Sequence, residues 1–188
     1  MHYPIFLNLA GQRVVVIGAG RVATRKTRSL LAAGASIAVV SPAATAAVRR
    51  LAAARRIRWI RRRYRSGDLR GARLAVAATN DEKVNRQVCA DARRRNLLVN
   101  CAAPPAAGDF HVPSLVRRGG VTVAISTGGA SPALAKQIRR DLEQFLGDRY
   151  AGLAKRMRAL RQTAKKTSSE KERRARYRRT LRQWLKNR

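Results

Sequence analysis

The chain has 188 residues, 45% of them hydrophobic, which suits one ordinary domain plus a smaller appendage. No apolar run reaches the roughly 18 residues that span a bilayer, and residues 1–8 lack the basic start and cleavage site of a secretory leader; the expected location is the cytoplasm, with no membrane partner. Forty-two Lys and Arg against ten Asp and Glu give a formal charge of +32, which attracts polyanions such as nucleic acid or a small polycarboxylate, although arginine occurs throughout the chain, as a GC-rich genome would also produce.

Residues 13–17 form a β-branched run that ends in Gly18 and reads as a buried parallel strand. A helix-compatible stretch then runs to Leu31, with Gly34 as its stop. Ser36–Val40 reads as a second strand, stopped by Ser41-Pro42, and residues 43–55 as a helix. Ile57–Ile60 is a short strand candidate interrupted by arginine, and Arg73–Ala78 a better one. Asp81–Arg95 reads as a helix and Leu97–Cys101 as a strand. Alternating strands and helices predict a parallel sheet with right-handed crossovers.

The pattern changes after Ala102. Residues 103–109 are a Pro/Ala/Gly loop, and Val121–Ser126 alternates as a strand. A turn at Thr127-Gly128-Gly129-Ala130 leads to Ser131, an N-cap, with Pro132 opening a helix to about Leu146. From Arg149 onward the chain is basic and reads as one or two amphipathic helices, broken near Thr167-Ser168-Ser169-Glu170. Their apolar contacts are Leu153, Met157, Leu160, Tyr177, Leu181, Trp184 and Leu185. Cys89 and Cys101 have no metal-ligand spacing and read as free core thiols.

Gly18-x-Gly20-x-x-Ala23 follows a strand and opens a helix, the context of a dinucleotide fingerprint. Gly18 allows the tight turn, Gly20 lets a pyrophosphate approach the backbone, and Ala23 lets the helix pack on the strand. The helix N-terminus supplies amide donors and a favourable dipole. A glycine-rich turn that binds nothing is the plainer reading. The carboxylate that usually holds the ribose about 20 residues on is missing; Val39, Val40 and Ser41 stand there, which leaves NAD against NADP open. Thr79-Asn80-Asp81 lies at the carboxyl end of a strand, where open α/β sheets bind ligands; Asn80 or Asp81 also suits the cap of the next helix. The expected cofactor site is therefore Gly18, Gly20, Arg21, Val22, Ala23, Ser41, Pro42, Thr79, Asn80 and Asp81.

Tyr3-Pro4-Ile5-Phe6-Leu7-Asn8-Leu9, Gly18-Ala19-Gly20-Arg21-Val22-Ala23-Thr24-Arg25-Lys26, Ala77-Ala78-Thr79-Asn80-Asp81, Val99-Asn100, Phe110-His111-Val112-Pro113-Ser114 and Ser126-Thr127-Gly128-Gly129-Ala130-Ser131-Pro132 occur in this order. Together they resemble the precorrin-2 dehydrogenase/sirohydrochlorin ferrochelatase family, which includes the N-terminal module of siroheme synthase. The resemblance covers roughly residues 3–147 and, more loosely, the basic tail. It implies an α/β fold: an NAD-binding Rossmann domain over 1–112, a dimerisation region over 113–147 and a helical tail over 148–188. It implies NAD-dependent oxidation of precorrin-2, an anionic tetrapyrrole, to sirohydrochlorin by a homodimer. In some members ferrous iron is then inserted as a second substrate, a lyase-type step. Asn100, Ser126, Thr127 and Gly128 fall where the family meets its substrate; Thr127 also reads as part of an ordinary turn.

One position departs from the family. The loop after the fifth strand usually carries an Asp three residues past the Asn of Val-Asn, the family's candidate for handling protons; here that position is Ala103. Alanine is neither acid nor base. The nearest substitutes are Asp109 and His111, and each has a plainer reading, Asp109 as a loop brace and His111 as a packed ring. Three functions follow: an NAD-dependent dehydrogenase; a family member that binds dinucleotide or tetrapyrrole without turnover, favoured by Ala103; and a nucleic-acid binder, favoured by charge alone and lacking a reading motif or aromatic platforms.

Overall fold

The computed structural model describes residues 2–167 and 169–186, which fall into two compact units, Met1–Val112 and Pro113–Arg188. The first contains β1 (Arg13–Ile17), α1 (Arg21–Ala32), β2 (Ser36–Val40), α2 (Ala46–Ala53), β3 (Arg58–Ile60), β4 (Leu74–Ala77), α3 (Glu82–Arg93) and β5 (Leu98–Cys101). The five strands form one parallel sheet in the order β3-β2-β1-β4-β5. Val14 to Ile17 are all buried, because the central strand is covered on both faces. One face packs Val14 and Val16 with Ala23, Val48, Val76 and Ala78. The other packs Val15 and Ile17 with Leu69, Val88, Cys89 and Val99.

Several expected bounds are corrected. The second helix starts at Ala46 rather than residue 43, because Thr45 caps it by accepting from the Val48 amide, leaving Ser41–Ala44 as a loop. The β3–β4 crossover contains a short 3-10 turn, Ser66–Leu69, that the composition did not announce. Asp68 pins it: its carboxylate accepts from Arg62 at 2.5 and 2.8 Å and from the Arg65 amide at 2.8 Å.

The second unit adds a strand that the alternation pattern missed. β6 (Ser114–Arg118) pairs antiparallel with β7 (Val121–Ile125) through a turn at Gly119-Gly120. Gly119 has φ +56°, and a Cβ there would stand 2.9 Å from the Ala151 methyl, so both backbone and space call for glycine. Then come α4 (Pro132–Leu146), α5 (Arg149–Thr167) and α6 (Glu170–Lys186). Ser131 caps α4 by accepting from the Leu134 amide. The gap between α5 and α6 lies at the expected break, of which Ser168 is outside the described residues. Val116, Ile125 and Leu146 form the small core of this unit, and Tyr150 sits 5.0 Å from Trp184. Leu153, Met157, Leu160, Tyr177 and Trp184 are half-buried as expected, whereas Leu181 and Leu185 are exposed.

Candidate dinucleotide-binding site

The carboxyl ends of β1, β2 and β4 are tied together by backbone bonds: Gly18 N–H donates to the Val40 carbonyl at 2.9 Å, and Ala78 N–H to the Ile17 carbonyl at 2.8 Å. Gly18 has φ +104°, and a Cβ on it would lie 2.3 Å from the Ala78 carbonyl oxygen. Glycine is therefore needed to seat the β1–α1 turn against the β4–α3 turn. Gly20 differs. Its φ of −75° suits any residue, and nothing lies within 4 Å of where a Cβ would stand. The fold itself has no use for glycine there, and the open space is what a diphosphate approaching the backbone requires.

The start of α1 is bare. No side chain caps it and no acid lies in its first turn, whereas Thr45, Asp81 and Ser131 cap α2, α3 and α4. Its first amides are left for a ligand, and the helix dipole favours an anion. Ala23 is fully buried against the sheet, while Arg21 and Val22 are exposed beside the turn. Two residues overlooked in the sequence brace it: Thr24 Oγ1 donates to the Gly20 carbonyl at 2.8 Å and meets Thr45 Oγ1 at 2.9 Å. These groups fit a dinucleotide.

At the end of β2, the Ser41 hydroxyl donates to the Ala43 carbonyl at 2.7 Å, and Pro42 is exposed. At the end of β4, Thr79 and Asn80 lie at the sheet edge, Asn80 exposed. Asp81 spends its carboxylate on capping α3, accepting from the Lys83 and Val84 amides at 2.9 and 3.2 Å. Asn85, another residue missed in the sequence, is fully buried on α3. Its Oδ1 accepts from the Thr79 amide at 3.0 Å and the Thr79 hydroxyl at 2.8 Å, and its Nδ2 donates to the Ala103 carbonyl at 3.0 Å. A polar residue on the packed face of a helix was the available signal.

Asn100 is buried at the end of β5. Its Nδ2 donates to the Phe110 carbonyl at 2.8 Å, and its Oδ1 has no partner. Ala103 presents a methyl group at an exposed position. Asp109 and His111, the expected substitutes, each have partners of their own. Asp109 Oδ2 accepts from the Val99 amide at 2.9 Å and Oδ1 lies 3.5 Å from Arg93 Nε, so the carboxylate braces the outer side of β5. His111 is exposed, its ring edge-on to His2 at 4.5 Å. Burial, then a hydrogen bond with Cys101, pushes the Cys89 thiol up to about 12, so it stays protonated near neutral pH.

The second unit holds the other expected substrate residues. Thr127 Oγ1 donates to the Ser131 carbonyl at 3.1 Å and accepts from the Ser131 amide at 3.3 Å. Ser126 Oγ accepts from the Gly128 amide at 3.2 Å. Gly128 and Gly129 have φ of +64° and +90° with nothing within 4 Å of a Cβ, leaving the turn open.

Residues 5–114 match a family described as putative NAD(P)-binding, and residues 118–144 one described as the central part of a sirohaem biosynthesis protein. The siroheme synthase of Chromobacterium violaceum is 43% identical over 153 residues, covering 81% of this chain and 33% of that protein. That of Pseudomonas fluorescens strain Pf0-1 is 42% identical over 160 residues, 84% of this chain and 34% of the relative. The chain thus spans about a third of the length of these curated relatives. Among solved structures, SirC, a precorrin-2 dehydrogenase, superposes with a TM-score of 0.81 at 30% identity, covering 98% of this chain and 100% of that one.

Proposed function

The chain belongs to the precorrin-2 dehydrogenase family, and on that premise we propose that it oxidises precorrin-2 to sirohydrochlorin with NAD in siroheme biosynthesis. The observation that carries this reading is the pairing of Gly18, packed on Ala78, with Gly20, which faces open space before an uncapped helix. The amides at the start of α1 hold the diphosphate, and Ser41 takes a ribose hydroxyl. When bound, the nicotinamide supplies the hydride acceptor. Asn85 fixes the loops after β4 and β5 against each other. Asn100 Oδ1, a buried acceptor without a partner, is oriented by the Phe110 carbonyl toward a donor from the ligand. Ser126, Thr127 and Gly128 form the turn that receives a substrate carboxylate. The positive charge of the chain favours approach of a polycarboxylate.

Hydride transfer needs the two reactants held in reacting geometry, which can supply several kcal/mol without a side-chain acid. Inserting ferrous iron, as a second substrate, requires that pyrrole protons be taken up. With Ala103 in the loop and Asp109 tied to Val99 and Arg93, the chain is an effective dehydrogenase and a poor ferrochelatase. It acts as a homodimer: the small core of the second unit leaves Leu134, Phe145 and Leu185 exposed, an apolar surface that a second copy covers.

Anaerobic incubation with precorrin-2 and NAD, followed by ferrous iron and monitored by absorbance, tests the reading. NADH and sirohydrochlorin should form together. Ala103 favours a second reading, a protein that holds dinucleotide or tetrapyrrole without turnover; tight binding of both with no NADH formed would establish it.

A further inference from the structure

The helices of the second unit differ in how their charges are matched. α4 carries three basic and two acidic residues, and Arg139 pairs with Glu143 at 2.6 Å. α6 carries eight basic residues and only Glu170 and Glu172. Both acids stand in its first turn and are occupied there: Glu170 pairs with Arg174 at 2.6 Å, and Glu172 accepts from the Ser169 amide and hydroxyl. From Arg176 to Lys186 the helix holds five Lys and Arg and no acid.

Helical periodicity sorts these residues onto two sides. Arg173, Tyr177, Thr180 and Trp184 recur three and four apart and are half-buried, so they form the packed side of α6. Arg178, Arg179, Arg182 and Lys186 lie on the opposite side, and all four are exposed. With Ala175 and Gln183 they border a shallow depression of about 470 Å³. Among the described residues, none of the four has a carboxylate partner. Arg178, Arg182 and Lys186 follow one another at intervals of four, the spacing at which like charges repel along a helix. An anion laid along this column relieves that repulsion. Arg178 to Lys186 spans about 12 Å, too long for a single phosphate or carboxylate. Over that length a nucleic-acid duplex presents about seven phosphates, at one per ~1.7 Å of axis. Unpaired bases need aromatic platforms, but Tyr177 and Trp184, the two rings of α6, are turned to the packed side. The face therefore suits the sugar-phosphate backbone of a double helix, gripped without regard to sequence.

We propose that the outer face of α6, through Arg178, Arg179, Arg182 and Lys186, is a docking surface for the phosphate backbone of double-helical nucleic acid. It stands independently of the dehydrogenase reading and of the dinucleotide site in the first unit.

Fluorescence anisotropy of labelled duplexes of arbitrary sequence, one DNA and one RNA, titrated with the full chain at about 0.1 M salt, tests it. Either duplex should bind with a dissociation constant of about 1–100 μM, the range of sequence-independent contacts, and the tighter one names the source of the backbone. The triple variant R178A/R182A/K186A should weaken binding by about tenfold or more and lower the slope of log affinity against log salt by about three. Alanine favours helix, so circular dichroism should show α6 intact in that variant. R178K/R182K keeps both point charges and should bind as the parent does. R56A/R63A/R70A removes three exposed arginines of the first unit and should lose far less affinity. Equal losses in the two triple variants would mean that net charge, not this face, attracts the duplex, and would overturn the proposal. So would no binding of either duplex at about 100 μM protein, or tighter binding of a single strand of the same length. Tighter binding of anionic phospholipid vesicles, which the exposed Leu181 and Leu185 would enter, would overturn it as well.

Discussion

Asn85 joins Ala103 across 3.0 Å, and the same side chain grips both the amide and the hydroxyl of Thr79. One amide thus sets the spacing of two loops that rise from β4 and β5. Removing it with N85A takes away the partners of the half-buried Thr79 amide and of the Ala103 carbonyl, a loss of about 1–2 kcal/mol. Urea unfolding should show a lower midpoint, and NAD affinity should fall in the fraction that remains folded. A variant as stable as the parent would mean that the loops hold their own shape.

The two glycines of the turn should respond in opposite ways. G18A drives a methyl into the Ala78 carbonyl and imposes a positive φ on a side chain, so it should express poorly or melt well below the parent. G20V meets no protein atom, so it should melt close to the parent yet lose measurable NAD binding by calorimetry. Unchanged affinity in G20V would remove the diphosphate from this turn.

Asp68 links stability to acid. Burial alone would raise its pKa, but the bonds from Arg62 and the Arg65 amide outweigh it, and the net shift is downward. A depressed carboxylate stabilises the fold fully above its unfolded value, about 3.9, and loses that contribution as pH falls through the lower folded value. D68N should cost about 1–3 kcal/mol at pH 7, and the gap between parent and variant should narrow below about pH 4. Denaturant melts at pH 7 and pH 3 measure both quantities.

Position 103 tests proton handling. General acid–base help is worth about 10²–10⁴ in rate, so A103D should raise iron insertion by an amount in that range while changing NADH formation far less. Efficient chelation by the parent, with no gain in A103D, would assign the proton to another group.

Light scattering at micromolar concentration should give the mass of two chains. A charge-neutral substitution of the exposed apolar surface, such as L134S, should shift the equilibrium toward the monomer without lowering helix content. A monomeric parent would contradict the dimer directly.

How far these features were readable from residues alone varied with their range. The run Arg13–Ile17 into Gly18 carries its own signature, since a parallel strand buried on both faces must be continuously apolar and the turn must be glycine. Ser131-Pro132 at the start of α4 was equally plain. β6 was not, because Pro113 and the pair Arg117-Arg118 obscure its alternation; the two-residue Gly119-Gly120 turn was the clue that a strand stood on each side. Asn85 and Thr24 escaped because their partners are Ala103 and Thr45, far along the chain, and local pattern holds no information about such pairs. Asp109 read as a candidate acid or as a brace of the loop, and its bonds to Val99 and Arg93 were out of reach of local pattern.

The strand order has a consequence during synthesis. β1 emerges first yet lies in the middle of the sheet, paired on one side with Ser36–Val40 and on the other with Leu74–Ala77. Until residue 77 has left the ribosome, Val14–Ile17 keeps one edge of unmet N–H and C=O groups on an apolar strand, the arrangement that invites neighbouring nascent chains to add strands. Residues 1–67 hold fourteen Lys and Arg without an Asp or Glu, a like charge that opposes the association of such open edges.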